Sequence, residues 1–346
     1  MVVTNGELLD IALLCNEAYV PGAMQVLASL STRAKPETWL RFNVFTENVG
    51  DGAVERMRQL LARLHPSSEI RQYACDARLL EGLPLWKGSR SSAVRCHYAQ
   101  VLADVDWCLH VDCDVLYLAS VEEHFAQRDE AVYACAVTEQ GTSTNRDERT
   151  WIARNVAVGG EPLVISAECY FNAGVMLMNL KKMRDDGVTP KLLRFFKDHP
   201  DVPSPDQDAL NVAFVGQVKM LPVRFNQSQE TLTDEKLKGL PVIHYVSGIP
   251  WSPKLMGVAN NRFWLWHAFA DKYVWQKKGA SVRRSFSRRV LWLKMICHAL
   301  LTSPLGGFFA GALQKMGRIR NAVDWRRTQV GCDVTKKAVA VVMNKV

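Results

Sequence analysis

No Cys-x-x-Cys pair occurs among the nine cysteines of this 346-residue chain, and their odd number and scattered spacing fit neither a zinc ribbon nor a disulfide framework. They read as reduced thiols. A secretory signal is not evident either: the first twenty residues, MVVTNGELLDIALLCNEAYV, put Glu7 and Asp10 where a basic start and an unbroken apolar run would be needed. The expectation is a cytoplasmic protein. The chain has no Gly-x-x-x-x-Gly-Lys phosphate loop, no Ser/His/Asp order of a hydrolase triad and no internal repeat. The sequence thus offers no nucleotide or hydrolase site of those kinds.

What is present is ordinary globular material, 48% hydrophobic and 23% charged, in a chain long enough for a large α/β domain and an appendage. Charge is distributed unevenly. Of 43 Lys/Arg and 35 Asp/Glu, residues 271–346 hold 16 basic and 3 acidic, leaving 27 basic and 32 acidic in residues 1–270. A mildly acidic body, expected as the catalytic domain over 1–270, thus carries a basic, aromatic-rich extension over 271–346.

The body opens with alternating periods: a strand at Leu9–Cys15, a helix after Pro21, a strand at Phe42–Thr46, a helix from Asp51 to Leu64 and a strand near Ile70–Tyr73. This succession predicts a mostly parallel α/β sheet covered by helices, of the nucleotide-binding type. After a Gly/Pro/Ser-rich loop come a helix around Ala93–Ala103 and the apolar strand Trp107–Val111, which runs into Asp112-Cys113-Asp114. Residues 138–168 read as a loop over that edge. A strand at Tyr170–Asn179, a helix near Pro190–Lys197, a helix opening at Pro205 and a short strand Val242–Tyr245 complete the body.

Ligands in open α/β sheets bind beyond the carboxyl ends of strands, where the acidic triplet falls. Alternation along an extended chain turns Asp112 and Asp114 to one side and Cys113 to the other. Two such carboxylates repel unless a proton or a hard divalent cation lies between them. A strand-ending turn that favours Asp is the other reading of the triplet. In CYFNAGVMLMN, the polar Asn172 and small Ala173 and Gly174 interrupt an apolar strand, marking either close approach of a ligand or a bulge. In PSPDQDALN, Asp206, Gln207 and Asp208 open a helix at its positive end, with N-capping by Asp206 as the alternative. His244 ends the strand of VIHYVSGIPW, as a metal ligand or as a structural histidine.

These segments, in this order, resemble glycosyltransferase family 8, over roughly residues 9–251. The residues that carry the resemblance are LLCNEAYVP, Arg95, HVDCDVLYL, FNAG, DQDALN and HYVSGIPW. The resemblance implies a glycosyltransferase A-type mixed sheet with helices on both faces, retention of configuration, and Mn2+ (or Mg2+) held by Asp112, Asp114 and His244. It implies donor contacts at Arg95, Asn172, Ala173, Gly174 and Asp206, with Cys15 and Asn16 at the first turn and Gly248 near the end. Gln207 matches the residue nearest the far face of the reacting carbon, and Gln207 and Asp206 are the implied catalytic pair. A uridine-diphosphate hexose is the implied donor and a cell-envelope glycan such as lipopolysaccharide core the implied acceptor. Two segments depart from the family pattern. Asn16-Glu17-Ala18 stands where Asp-Asp-Asn is usual, and Ile249 stands where the pyrophosphate-binding Lys is usual, with Lys254 a few residues on.

The extension contains WQKKGASVRRSFSRRVLWLKM, an uncharged run from Met295 to Gln314, and KMGRIRNAVDWRR. His298, Ser303-Pro304 and three glycines weaken a spanning helix. The expected arrangement is a helical tail lying in the plane of an anionic membrane, beside a lipid-linked acceptor. A nucleic-acid surface and a solvated extension are the alternatives, and no nucleic-acid partner is expected. Among other functions, a sugar-nucleotide-forming nucleotidyltransferase would need a Gly-rich basic loop that CNEAYVPGAM lacks. A degenerate family member that binds without catalysis would account for the two departures.

Overall fold

A computed structural model of the chain describes residues 6–85, 88–139, 143–246, 248–251, 263–275 and 336–345. The chain divides into two compact units, Met1–Ser228 with Gly239–His244 and Val346, and Gln229–Lys238 with Tyr245–Lys345.

In the first unit, β1 (Leu8–Asn16), β2 (Trp39–Glu47), β3 (Ser68–Ala74) and β4 (Trp107–Val111) are followed by β5 (Val115–Tyr117) and β6 (Ala134–Thr138). Then come the two-residue strands β7 (Ala157–Val158) and β8 (Glu161–Pro162), β9 (Phe171–Asn179), β10 (Val218–Met220), β11 (Gln227–Ser228) and β12 (Val242–His244). Seven strands form one sheet in the order β10-β6-β9-β4-β1-β2-β3. All neighbours are parallel except β9, which runs antiparallel to both β4 and β6. The sheet is therefore mixed, with a parallel β3-β2-β1-β4 half. A second sheet, β11-β12-β5, sits where the chain leaves Asp114.

Hydrophobic patterning explains the arrangement. β1 and β4 are largely apolar runs, as strands covered on both faces require, and Ile11, Leu13, Phe42, Val44, Leu109 and Val111 are fully buried. The helix Asp51–Leu64 inserts Val54, Met57, Leu60 and Leu61 and leaves its charged side in water. At the amino ends of β1 and β2, buried Asp10 accepts from Arg41 Nε at 2.5 Å and Asn43 Nδ2 at 2.9 Å, a fully paired polar cluster.

Two expectations change. The predicted helix Ala93–Ala103 is a 3-10 turn, Ser91–His97, leading into the single α-turn Tyr98–Val101. Arg95 lies within the 3-10 turn and is buried. Residues 138–168 hold a helix, Ser143–Asn155, and the β7–β8 hairpin rather than a loop. STNRDERTWIARN has too few apolar positions to show a helical stripe, and fully buried Ile152 is among them.

The described part of the second unit holds the helices Asp234–Lys238, Trp264–Phe269 and Lys336–Lys345, with a π-helical turn at Ala270–Val274. Within it, Trp251 and Trp266 lie 5.6 Å apart between ring centres, and Lys272 Nζ donates to the Met343 carbonyl at 3.1 Å. The uncharged run from Met295 to Gln314 and Lys254 lie outside the described residues. Among the described residues no helix is long and apolar enough to cross a membrane.

Candidate active site

The carboxyl ends of β1, β4 and β6 and the amino end of β9 meet at one edge of the large sheet, and the sequence-predicted polar residues of the first unit gather there. Asp112 follows β4, and its N–H donates to the Gly174 carbonyl at 2.8 Å, carrying the β4–β9 ladder one step further. The Cys113 thiol donates to the Leu14 carbonyl at 2.9 Å, toward β1, so Asp112 and Asp114 face away from it. β5 begins at the next residue and pairs with β12 so that Val115 lies opposite His244. That register brings His244 Nε2 to 3.3 Å from Asp114 Oδ1. One ligand atom each from Asp112, Asp114 and His244 lies within 4.8 Å of the others.

Glycine at 174 is what leaves room between them. A Cβ there would lie 2.3 Å from His244 Cε1, 2.9 Å from Asp112 Oδ2 and 3.0 Å from His244 Nδ1. The space denied to a side chain is bordered by an imidazole and a carboxylate oxygen.

The orientation of His244 follows from a chain of hydrogen bonds with one fixed starting point. Gly174 N–H can only donate, so the atom it meets at 2.9 Å is the oxygen of the Asn172 amide. Asn172 Nδ2 then donates to Glu139 Oε2 at 2.7 Å, and Asn226 Nδ2 donates to Asn172 Oδ1 at 2.9 Å. The oxygen of Asn226 is left to face His244 Nδ1 at 3.1 Å, which must carry the proton. His244 Nε2 is thereby directed at Asp114, the disposition of an imidazole prepared for a metal. Two carboxylates and such an imidazole suit a divalent cation of the manganese or magnesium type. Burial opposes a charge on His244, but Asp114 and then Asp112 outweigh it and raise its pKa.

Arg95 holds the site together from beneath. Fully buried, it donates from Nη1 to the Ala173 carbonyl at 2.6 Å and from Nη2 to Asp112 Oδ1 at 2.8 Å, while Nε lies 3.1 Å from Asp206 Oδ2. A buried guanidinium needs such paired charge. Burial alone would push the Asp112 carboxyl up, but Arg95 and a hydrogen bond from His110 hold it well below the usual range. His110 is itself pushed down to about 4 by burial and by Arg95. Neutral at physiological pH, it donates from Nε2 to Asp112 Oδ1 at 3.0 Å and lies 3.1 Å from the Tyr98 hydroxyl through Nδ1. Asp112 Oδ1 is thus occupied on the protein side, and Oδ2 faces Gly174.

The helix Pro205–Ala213 delivers the third acidic group. Asp206 pairs with Arg95 instead of capping the helix, whose cap residue Ser204 makes no side-chain cap bond. Gln207 accepts from the Ala173 N–H at 3.0 Å, next to Asn172 and Gly174. Asp208 is fully buried and accepts from Tyr170 Oη at 2.7 Å and from the Ser204 N–H at 3.0 Å.

The first turn is arranged differently. Cys15 is buried with its thiol 3.3 Å from the Asn16 carbonyl, and Asn16 Oδ1 accepts from the Tyr19 N–H at 3.2 Å. Tyr19 lies close by, its hydroxyl pKa raised by burial and then by Asp114. Gly248 belongs to the second unit, where its N–H meets the Tyr245 carbonyl at 3.4 Å. Sequence reasoning passed over Asn226, Glu139, His110, Tyr170 and Glu148. Only His110, two residues before Asp112, gave a signal, a polar group inside an apolar strand.

Comparison with known proteins identifies the family. The profile described as Glycosyl transferase family 8 matches residues 10–253. The chain is similar to the lipopolysaccharide 1,3-galactosyltransferase of Salmonella typhimurium, 29% identical over 203 residues, 56% of each chain. It is also similar to a lipopolysaccharide 1,2-glucosyltransferase of Escherichia coli, 25% identical over 61% of this chain and 60% of that one. The match spans little more than half the length of these relatives. Among solved structures, the galactosyltransferase LgtC, crystallised with donor and acceptor sugar analogs, overlays with a TM-score of 0.58 at 22% identity, over 80% of this chain and 99% of the other. GlyE of Streptococcus pneumoniae overlays with a TM-score of 0.53 at 18% identity, over 82% and 65%. The fold is that of A-type glycosyltransferases, and the chain belongs to glycosyltransferase family 8.

Proposed function

We propose that the chain is a metal-dependent retaining glycosyltransferase that moves a hexose, galactose or glucose, from a uridine-diphosphate donor to a cell-envelope glycan such as lipopolysaccharide core. The observation that carries this reading is the assembly of Asp112, Asp114 and His244 beside the Arg95–Asp206 pair and Gln207 on one sheet edge. Breaking a sugar–phosphate bond builds positive charge on the ring and negative charge on the departing phosphate. A divalent cation on Asp112, Asp114 and His244 supplies charge neutralisation for the diphosphate when bound. On the ring side, Gln207 and Asp206 offer an amide and a carboxylate, and Arg95, 3.1 Å away, orients Asp206. The polar side chains around Asn172, Ala173 and Gly174 suit sugar hydroxyls.

The names of the relatives favour a lipopolysaccharide acceptor and a hexose donor. The basic extension is read as a peripheral anchor on the cytoplasmic face of the membrane, near a lipid-linked acceptor. Anionic vesicles should then pellet the full chain at low salt and release it at high salt; pelleting that ignores salt and lipid charge would overturn the anchor.

The transferase itself is tested by nucleotide release from a panel of uridine-diphosphate sugars, with Mn2+ or chelator, with and without lipopolysaccharide, for the wild type and Asp114→Ala. Mn2+-dependent release from one donor, lost in the variant, is the expected result. No release from any donor by folded protein would favour the binding-only reading, to which the locally engaged Asn16 and the Ile249 substitution point.

A further inference from the structure

Behind Gln207 lies a cluster of polar side chains of which only Asp208 belongs to a family motif. Ala173 N–H can only donate, so the Gln207 atom at 3.0 Å from it is the oxygen, and Nε2 must point the other way. There it meets Tyr170 Oη at 3.1 Å and Glu148 Oε2 at 3.5 Å. Accepting from Gln207, the Tyr170 hydroxyl has one proton to give and two carboxylates to receive it, Asp208 Oδ1 at 2.7 Å and Glu148 Oε2 at 3.0 Å. Ser204 closes the cluster by donating its hydroxyl to the second oxygen of Glu148. Glu148 and Asp208 are both buried and Tyr170 is fully so. Burial, with Glu148 and Asp206 nearby, pushes the Asp208 carboxyl up to about 7, so a retained proton relieves the repulsion between the two acids.

We propose that Tyr170, held between Asp208 and Glu148, is a positioning residue that locks the side-chain amide of Gln207 with its oxygen toward Ala173, and that Glu148 extends this lock to the helix Ser143–Asn155. The proposal rests on the transferase reading for its catalytic consequence, because it is Gln207 that faces the sugar there. The amide cannot exchange its ends without setting its N–H2 against Ala173 N–H and its oxygen against Glu148. A glutamine so fixed presents one atom at one place, and reactivity depends on such placement. Glu148→Gln retains the lock, since its amide oxygen accepts from Tyr170 and Gln207 while its nitrogen donates to the Ser204 hydroxyl. Tyr170→Phe and Glu148→Ala break it from opposite sides.

The test has two arms. Without any substrate, hydrogen exchange of the Gln207 side-chain amide is followed by NMR, the resonance being identified by its disappearance in Gln207→Glu. Exchange should quicken by about 10-fold or more in Tyr170→Phe and Glu148→Ala and stay within about twofold of wild type in Glu148→Gln. In the second arm, donor turnover should fall about 10-fold in kcat with little change in donor KM for the two breaking variants, and Glu148→Gln should retain it. Adding Tyr170→Phe to Gln207→Ala should cost nothing further, because the tyrosine acts through the glutamine. Unchanged exchange, effects that multiply in the double variant, or a loss confined to KM would overturn the proposal. If the wild type turns over no donor, the transferase reading fails while the exchange arm still decides the lock. Should Tyr170→Phe not fold, the Glu148 pair of variants decides it.

Discussion

Replacing Gly174 by alanine should empty the proposed metal site while leaving the sheet standing. The added Cβ would lie 2.3 Å from His244 Cε1, whereas carbon atoms rest about 3.5–4.0 Å apart, so the ring must retreat by about 1.2 Å or more. The backbone cannot yield instead, because the Gly174 carbonyl accepts from Asp112 and its N–H donates to Asn172. Overpacking of this kind costs about 1–3 kcal/mol. Loss of the His244–Asn226 bond adds about 0.5–1.5 kcal/mol. Against this, alanine at an unstrained position returns about 0.4–1 kcal/mol through the unfolded chain. The net is a destabilisation of about 0.5–4 kcal/mol. The effect on metal is larger, since ligand atoms must sit within about 0.2 Å of their places. Mn2+ affinity, read from the EPR signal of free Mn2+ during titration, should fall about 100-fold or more, and Mn2+ should no longer raise the melting temperature. Wild-type affinity in a folded Gly174→Ala variant would refute the assignment of His244 and Asp112 to one ion.

Three further outcomes follow from the same geometry. Asn226→Ala removes the acceptor that sets the His244 tautomer and should weaken Mn2+ about 10–100-fold by the same titration, with only a small change in melting temperature in chelator. Arg95→Met strips the cation from between Asp112 and Asp206 and should cost about 3–5 kcal/mol in urea denaturation with chelator present; a loss below about 1 kcal/mol would contradict its role. The Asp208 carboxyl, at about 7 against an ordinary 3.8, holds its proton more tightly folded than unfolded. Its contribution to stability is therefore full below about pH 4 and is lost as the pH rises through about 7. Urea midpoints of wild type should decline over that window more than those of Asp208→Asn, and equal slopes would assign the decline to another group.

Much of this architecture was legible because the signals were local. Asp51–Leu64 and Trp107–Val111 have the bounds that periodicity and apolar runs suggest, and Asp112-Cys113-Asp114 lies beyond its strand as alternation requires. The helix Ser143–Asn155 was not legible, because a helix with few apolar positions leaves no stripe, and Glu148 was lost with it. Asn226 and Glu139 were hidden for a different reason. Each becomes part of the site only through strand register, β11 beside β12 and β6 beside β9, at separations no motif spans. A single amide in a turn carries no mark of the partner that folding will bring to it.

The departure at the first turn falls outside the strands that place Asp112, Asp114 and His244. Asp112, Asp114, Asn172 and His244 are placed by β4, β9, β5 and β12, whereas Asn16 and Glu17 follow β1, where Asn16 caps a single turn and Glu17 accepts from the Gly50 N–H at 3.3 Å. The β4–β9 ladder and the β5–β12 pairing contain neither residue. Substitution in the first turn can thus proceed without moving Arg95, the carboxylates or the imidazole. Arg95 and Asn226 stay buried and hydrogen-bonded, as buried polar groups require.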